Sequence, residues 1–571
     1  MISPQGLWRI QLYTLGASVL LLVIALTVLA PIFYLFVNSF DTSKLGQQSI
    51  FGYSNWLRIF SFEKFNEALF NTITLSITRQ TIGMSIGVII AWLIARTNLP
   101  YKNILEVGFW VALFMPALPV TLSWIMLATG RSGLLNQLAM MLPFVDRPIF
   151  NVYSWWGIVW VHIITTSIAI KVFLLVPAFR ALNSALEEAA RIAGASLLAT
   201  VWKIVIPILA PTLLVVLLVS IVRSMQAFEV ELILGSPKGI SVYSTIIYGA
   251  MTREPPEQGL ASALSLVFIL SIIPFVILQQ TYVNRYAYAS ISGKFQSRIV
   301  DLGGWKWPIF TLITVLLLFM TVVPFTLLTI GTFMNMFGNF KMDHVWTLDN
   351  WERALSDSQI SSALFNTLTL SSVSAICGMI AFTLVAYVTV KRKFKARRWL
   401  DFFSWIPALI PGLVLSLGLL QIFTSVPFLR PLYGTTAILV AAILLGTITI
   451  GTQVLRGAFL QIGQELEEAA EICGASQFYT FRRILLPLIS PTVIVVGLEI
   501  FATANAAIGV LVLLSVGATQ PLSLLQLALL DSGRFEPAAV IGVIIMTLTL
   551  TSAILARVIG RRSGATAQVQ A

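Results

Sequence analysis

Seven side chains in this sequence carry ionisable groups where charge is costly. Arg79, His162, Lys171, Arg223 and Glu499 lie inside long apolar runs, and Glu229 and Glu231 stand at the end of one run. Such groups within a membrane span mark either a solute pathway or a buried pair. A second set sits in polar segments: Glu187 and Glu188 precede Gly194, and Glu467 and Glu468 precede Gly474 at the same spacing. Carboxylates there suit the positive end of a short helix, and the glycine suits its stop. An embedded enzyme or metal centre would need clustered ligands, but the two histidines, His162 and His344, lie far apart in the chain. Cys377 sits in an apolar run and Cys473 in a polar loop. That placement suggests neither a disulfide nor a metal cluster, and both read as small packing residues.

The elements that must hold these groups are spans. Of the 571 residues, 57% are hydrophobic and only 11% charged, where an ordinary soluble domain carries about 25% charged residues. A soluble enzyme, a disordered chain and a nucleic-acid binder are excluded, which leaves an all-α polytopic membrane protein in a lipid bilayer. Runs of about 20 apolar residues read as spanning helices. Twelve are expected, at 12–37, 69–94, 105–129, 154–179, 204–226, 259–282, 307–331, 364–390, 400–424, 434–459, 484–514 and 535–558. The first is expected to be retained as an anchor, because its run is too long for a signal peptide and Pro31 follows Ala30 where cleavage would fall. With the N-terminus on one side, that side's segments hold 22 basic residues and the opposite loops 11. This bias puts both termini in the cytoplasm. It also absorbs most of the net charge of +12, and reads the basic cluster 391–398 as an orientation anchor.

The chain repeats itself. Leu69–Ser76 (LFNTITLS) recurs as Leu364–Ser371 (LFNTLTLS), and Asn55-Trp56 recurs as Asn350-Trp351, both at an offset of 295. Leu186–Ser196 (LEEAARIAGAS) recurs as Leu466–Ser476 (LEEAAEICGAS) at an offset of 280, as does Pro207 at Pro487. The difference places an insertion of about fifteen residues in the first copy, within 131–150. Six spans return the chain to the same face, so the halves are parallel repeats about an axis along the membrane normal, with a pathway between them. The expected division is 1–285, a linker 286–306, and 307–571.

The polar loop is kept as well as any span. Ser184 and Glu187 fit a capping box, which the second copy loses with Gln464. Ala189, Ala190 and Ala193 form a smooth face, Gly194 and Gly474 stop the helix, and Ser196 and Ser476 cap the next. Glu188-Ala189-Ala190 to Gly194 to Ile204 and Ile206-Pro207 resembles the EAA loop of permease subunits of binding-protein-dependent ABC importers. Glu468-Ala469-Ala470 to Gly474 to Leu486-Pro487 resembles it with the family's Leu-Pro intact. The resemblance implies a type I importer fold in which one chain does the work of a permease dimer. It implies that Glu187, Glu188, Ala189, Gly194, Glu467, Glu468, Ala469 and Gly474 dock on a homodimeric ATPase, the glutamates meeting basic groups there. The chain has no Gly-x-x-x-x-Gly-Lys-Ser/Thr loop, so ATP and Mg²⁺ are expected on that separate ATPase. No cofactor or catalytic residue is expected here, and the other partner implied is an external solute-binding protein.

The resemblance also implies that the fifth span of each half lines the passage. Arg223, Gln226 and Glu229 share one helical face, and with Asn505 they are the expected pathway residues. None of the charges inside the spans repeats: Arg79 maps to Ser374, Lys171 to Gly451, Arg223 to Thr503, Glu499 to Val219 and His162 to Ala442. A scaffold role would be shared by both halves, so pathway roles and buried pairs both stay open, with Lys171 free to snorkel. A fused twelve-span permease is similar to ferric-iron and thiamine importers, and Phe228–Pro237 resembles the ferric-iron branch. Fe³⁺ favours oxygen ligands, whereas Arg223 and Lys171 suit an anion. Thiamine, a phosphonate or other anion, and a polyamine are the alternatives within the class, and an ion-coupled secondary transporter is the alternative outside it.

Overall fold

The computed structural model describes residues 4–43, 47–62, 64–286, 299–391 and 396–562. Most of the expected linker 286–306 and half of the basic cluster 391–398 lie outside them. The first half contains α1 (Pro4–Ser39), α2 (Phe65–Arg96), α3 (Lys102–Leu113), α4 (Ala117–Ala128), α5 (Trp155–Arg180), α6 (Ser184–Ile192), α7 (Leu197–Met225), α8 (Glu229–Gly235) and α9 (Gln258–Tyr286). The second contains α10 (Gly303–Thr332), α11 (Ser358–Lys391), α12 (Arg397–Leu409), α13 (Gly412–Ser425), α14 (Thr436–Leu460), α15 (Glu465–Ile472), α16 (Gln477–Ala506), α17 (Leu522–Asp531) and α18 (Phe535–Arg562).

Ten helices among the described residues are long and apolar enough to cross a membrane. The expected spans 105–129 and 400–424 are instead bent pairs: α3 and α4 meet at 100°, α12 and α13 at 109°. The cause is Pro116 and Pro411, again 295 apart, each extended at the start of the second helix. Proline supplies no N–H and drives the residue before it out of the helical region. The run 484–514 is shorter than expected too. Its helix ends at Ala506, and Ile508, Leu511 and Leu514 belong to a buried turn.

The repeated motifs are brackets. Asn55 Nδ2 donates to the carbonyls of Ser39 (3.2 Å) and Asp41 (2.6 Å). Asn350 does the same to Thr332 (3.1 Å) and Met334 (2.8 Å). Each pins the end of its half's first helix. Asn71 donates to Ser241 O (3.0 Å), and Thr72 Oγ1 accepts from Tyr243 N (2.8 Å). Asn366 donates to Ala518 O (3.0 Å), and Thr367 Oγ1 accepts from Leu522 N (2.8 Å). The repeated Asn-Thr therefore holds the loop that follows the fifth span in each half.

The halves exchange their first helices. α1 lies against α13 as well as α9, and α10 lies against α4 as well as α18. Ser123 Oγ of α4 donates to the Pro324 carbonyl of α10 at 2.8 Å. Where the halves differ, volumes trade. A Cβ on Gly87 would strike Lys171, while in the second half Gly451 leaves room for Phe382 at the Gly87-equivalent place.

Candidate translocation pathway and coupling loops

Each loop is built from a short helix, a turn and a second helix. In the first copy the helix cap is Asn183, one residue ahead of the expected Ser184; its side chain accepts from Ala185 N at 2.9 Å. Gly194 and Gly474 reverse the chain at φ +85° and +77°, a region costly for residues with a Cβ. Ser196 Oγ then accepts from Ala199 N (3.3 Å), and Ser476 Oγ from Tyr479 N (3.2 Å), as expected of caps. A single wide π turn follows in both copies, Val201–Val205 and Phe481–Leu485, just ahead of Pro207 and Pro487. The prolines relieve their clash with the preceding turn by widening it.

Two of the expected docking glutamates face inward. Glu187 is ion-paired to Arg96, which is fully buried and also donates to Leu182 O. Glu467 pairs with Lys391 Nζ at 3.0 Å, and Lys391 donates to Ile462 O at 2.7 Å. Both basic groups, read from sequence as orientation charges, are struts between loop and core. Glu188 is half-buried, and Ala189, Gly194, Glu468, Ala469 and Gly474 are exposed. The sequence reading missed the loops' apolar tips: Ile192 and Ile472 are 88% and 86% exposed, flanked by exposed Leu186, Leu198, Leu466 and Phe478. Their signal was present, since Leu and Ile recur at the same offset of 280. Cys473, expected to be a packing residue, is exposed beside Ile472.

Between the halves lies a cavity of about 1500 Å³. Its lining runs from Glu106, Arg398, Asp401 and Arg557, at the loop-side ends of their helices, to Pro116, Ala227 and Ala506. Arg223 is exposed to it, and Glu499 lines it from the other half within electrostatic reach. Beyond it the halves touch. Gln226 Nε2 donates to Ala408 O (3.2 Å), and Glu229 Oε1 accepts from Gly509 N (3.4 Å). Gln226 and Glu229 thus close the far end instead of lining the wide part. Asn505 is a correction: it is fully buried behind the cavity wall and does not line it, donating to Ile545 O (3.0 Å) and Thr549 Oγ1 (2.6 Å). Helical spacing does not say which neighbour a side chain meets.

The remaining charges are buried partners. Arg79 pairs with Glu231 at 2.6 Å and holds Ser224 through both Oγ and the carbonyl. His162 Nε2 lies 2.9 Å from the same Glu231 oxygen. Lys171 does not snorkel: it is fully buried and donates to Gln80 Oε1. Among the described residues no group of three or more His, Cys, Asp or Glu could hold a metal ion.

Two parallel helical halves enclosing one closable cavity, with paired loops on one face, define a membrane permease. The chain belongs to the family described as binding-protein-dependent transport system inner membrane component, which it matches at residues 83–288 and 352–564. It is therefore a multi-pass transport subunit of an inner membrane. It is 26% identical over 444 residues to a probable ABC transporter permease protein, y4fN, of Sinorhizobium fredii, covering 75% of this chain and 76% of that protein. It is 25% identical over 432 residues to the ferric transport system permease protein FbpB of Actinobacillus pleuropneumoniae, covering 74% of this chain. There it spans only 61% of the relative's length. A bacterial ABC transporter that imports the acidic polysaccharide alginate aligns at 20% identity and a TM-score of 0.38, covering 45% of this chain and 96% of its own.

Proposed function

We propose that the chain is the membrane unit of an ATP-driven importer of ferric iron, delivered by an external binding protein. Its halves, 1–285 and 307–571, are joined by 286–306, and both termini and both loops face the cytoplasm. A homodimeric ABC ATPase binds and hydrolyses ATP-Mg²⁺, and each subunit takes one loop tip. The observation that carries the ATP-driven reading is the twofold recurrence of exposed Ile192 and Ile472 on loops braced to the core. An ion-coupled carrier has no use for such a pair. Ferric iron is supported by the relatives named as ferric permeases, which align over most of this chain. The basic side chains that suited an anion do not oppose it: Lys171 is spent on Gln80, and Arg223 is answered by Glu499.

Reconstituted with its ATPase and binding protein, the permease is expected to accumulate radiolabelled ferric iron only when ATP is present. Uptake of thiamine, a phosphonate or a polyamine instead would replace the substrate, and uptake without ATP would replace the class. Exposed Cys473 reports orientation. A membrane-impermeant maleimide is expected to label it in inside-out vesicles stripped of the ATPase and not in intact cells.

A further inference from the structure

A second, smaller cavity lies at the closed end of the pathway. It measures about 60 Å³ and is lined by Glu229 of the first half and by Ser523, Gln526 and Ile508 of the second. Pro116, Ala117 and Ala506 wall both this cavity and the large one, so it is the next compartment along the same route. Its volume admits about four water-sized probes.

The polar groups here have a common defect. Gln526 is fully buried, its Nε2 is spent on Ala538 O (3.0 Å), and its Oε1 has no partner. Turning the amide over would set Oε1 against the Ala538 carbonyl, so the contact fixes the orientation. Ser523 Oγ gives its proton to Ala507 O (2.7 Å), leaving lone pairs. Glu229 is approached only by main-chain N–H groups, its own, that of Phe228 and that of Gly509 (3.4 Å), and no basic side chain among the described residues pairs with it. Glu231, two residues on, is already held by Arg79 and His162. A carboxylate, an amide oxygen and a hydroxyl oxygen thus share a small compartment whose lining side-chain donors, Ser523 Oγ and Gln526 Nε2, are already engaged elsewhere. Buried acceptors without a donor are costly, and such an oxygen set suits a hard cation.

We propose that Glu229, Gln526 and Ser523 form a transit site for the cationic substrate at the far gate. It receives the metal ion from the binding protein's side before the ion enters the large cavity. The proposal rests on the ferric reading above. One carboxylate with two neutral oxygens binds weakly, which a transit site requires, since an ion held tightly would not leave.

The test uses the permease–ATPase complex with its binding protein in proteoliposomes, with ferric iron and redox-inert Ga³⁺ as probes. Glu229→Gln keeps an acceptor for Gly509 N and removes only the charge. It is expected to lower ferric and gallium uptake about tenfold or more, the loss of one charge-assisted contact. Gln526→Met removes the amide oxygen while keeping the volume filled, and is expected to raise the KM for both ions about fivefold or more with little change in the maximal rate, because one oxygen ligand is lost. A structural role alone would give no such split. Glu229→Gln with wild-type uptake, or Gln526→Met with an unchanged KM, would overturn the site. Failure of the wild-type complex to carry either ion would instead overturn the ferric reading. Co-purification of the ATPase with each variant shows that it is assembled.

Discussion

Ile192 and Ile472, 88% and 86% exposed, are the most exposed large apolar side chains among the described residues. Burying an isoleucine on a partner contributes about 1.5–3 kcal/mol. Ile192→Asp or Ile472→Asp is expected to weaken ATPase binding about tenfold or more, and the double variant to lose the ATPase on co-purification. If the double variant retained it, docking through the tips would be wrong. The buried charges divide by the same logic. Arg79→Met strands Glu231 in the interior with only His162, and breaking a buried pair costs about 3–5 kcal/mol. Among the described residues Lys171 has no acid partner, only Gln80. Lys171→Met removes a buried cation along with one hydrogen bond, so the two effects offset and stability is expected to stay within about 1 kcal/mol. Thermal unfolding in detergent should therefore drop sharply for the first variant and barely move for the second. Equal drops would show that Lys171 has an acid partner in solution.

At the scale of elements, α2 and α11 are rods between the loops and the far gate. α2 has 32 residues, about 48 Å at 1.5 Å per residue. Its loop end carries Arg96 on Glu187, its middle carries Arg79 on Glu231 and Ser224, and its far end carries Asn71 and Thr72 on the loop after α7. α11 repeats the two ends with Lys391 on Glu467 and with Asn366 and Thr367, but leaves the middle without charge. In the proposed cycle a loop pushed by the ATPase thus moves a helix that grips the far end. Arg96→Glu sets two carboxylates against each other and is expected to cut ATP-driven uptake about tenfold or more. Adding Glu187→Arg should restore most of it. Uptake that stays lost in the double variant would mean the pair does more than brace the loop. How much of this was legible follows from the physics. The duplication, the loops, their turn glycines and Ser196 and Ser476 as caps are local patterns, and they could be read. The bends at Pro116 and Pro411 were missed because hydropathy averages over a proline. Glu187 was assigned outward because a sequence shows a carboxylate but not the arginine that lies 91 residues away in the chain.

At the scale of the molecule, the first helix of each half is packed into the other, so the halves are held at their periphery while the cavity lies at their centre. Motion that opens the far end must separate Gln226 from Ala408 and Glu229 from Gly509, because these bonds cross between halves. Few bonds cross there, and each neutral one contributes only about 0.5–1.5 kcal/mol. In the proposed cycle the closed end is therefore the gate that a partner's binding energy opens, whereas the exchanged helices stay packed. This yields a test of the cycle. With Cys377 and Cys473 replaced by serine, cysteines at Gln226 and Ala408, where the Gln226 side chain meets the main chain of residue 408, should be joined by a short bifunctional maleimide. The joined protein is expected to keep its ATPase, since the loops lie at the other face, but to lose uptake and to lose stimulation of ATP hydrolysis by the loaded binding protein. A reducible form of the linker should return both on cleavage. If joined protein still imported solute, the far end described here would not be the gate, and the route would have to leave the cavity elsewhere between the halves.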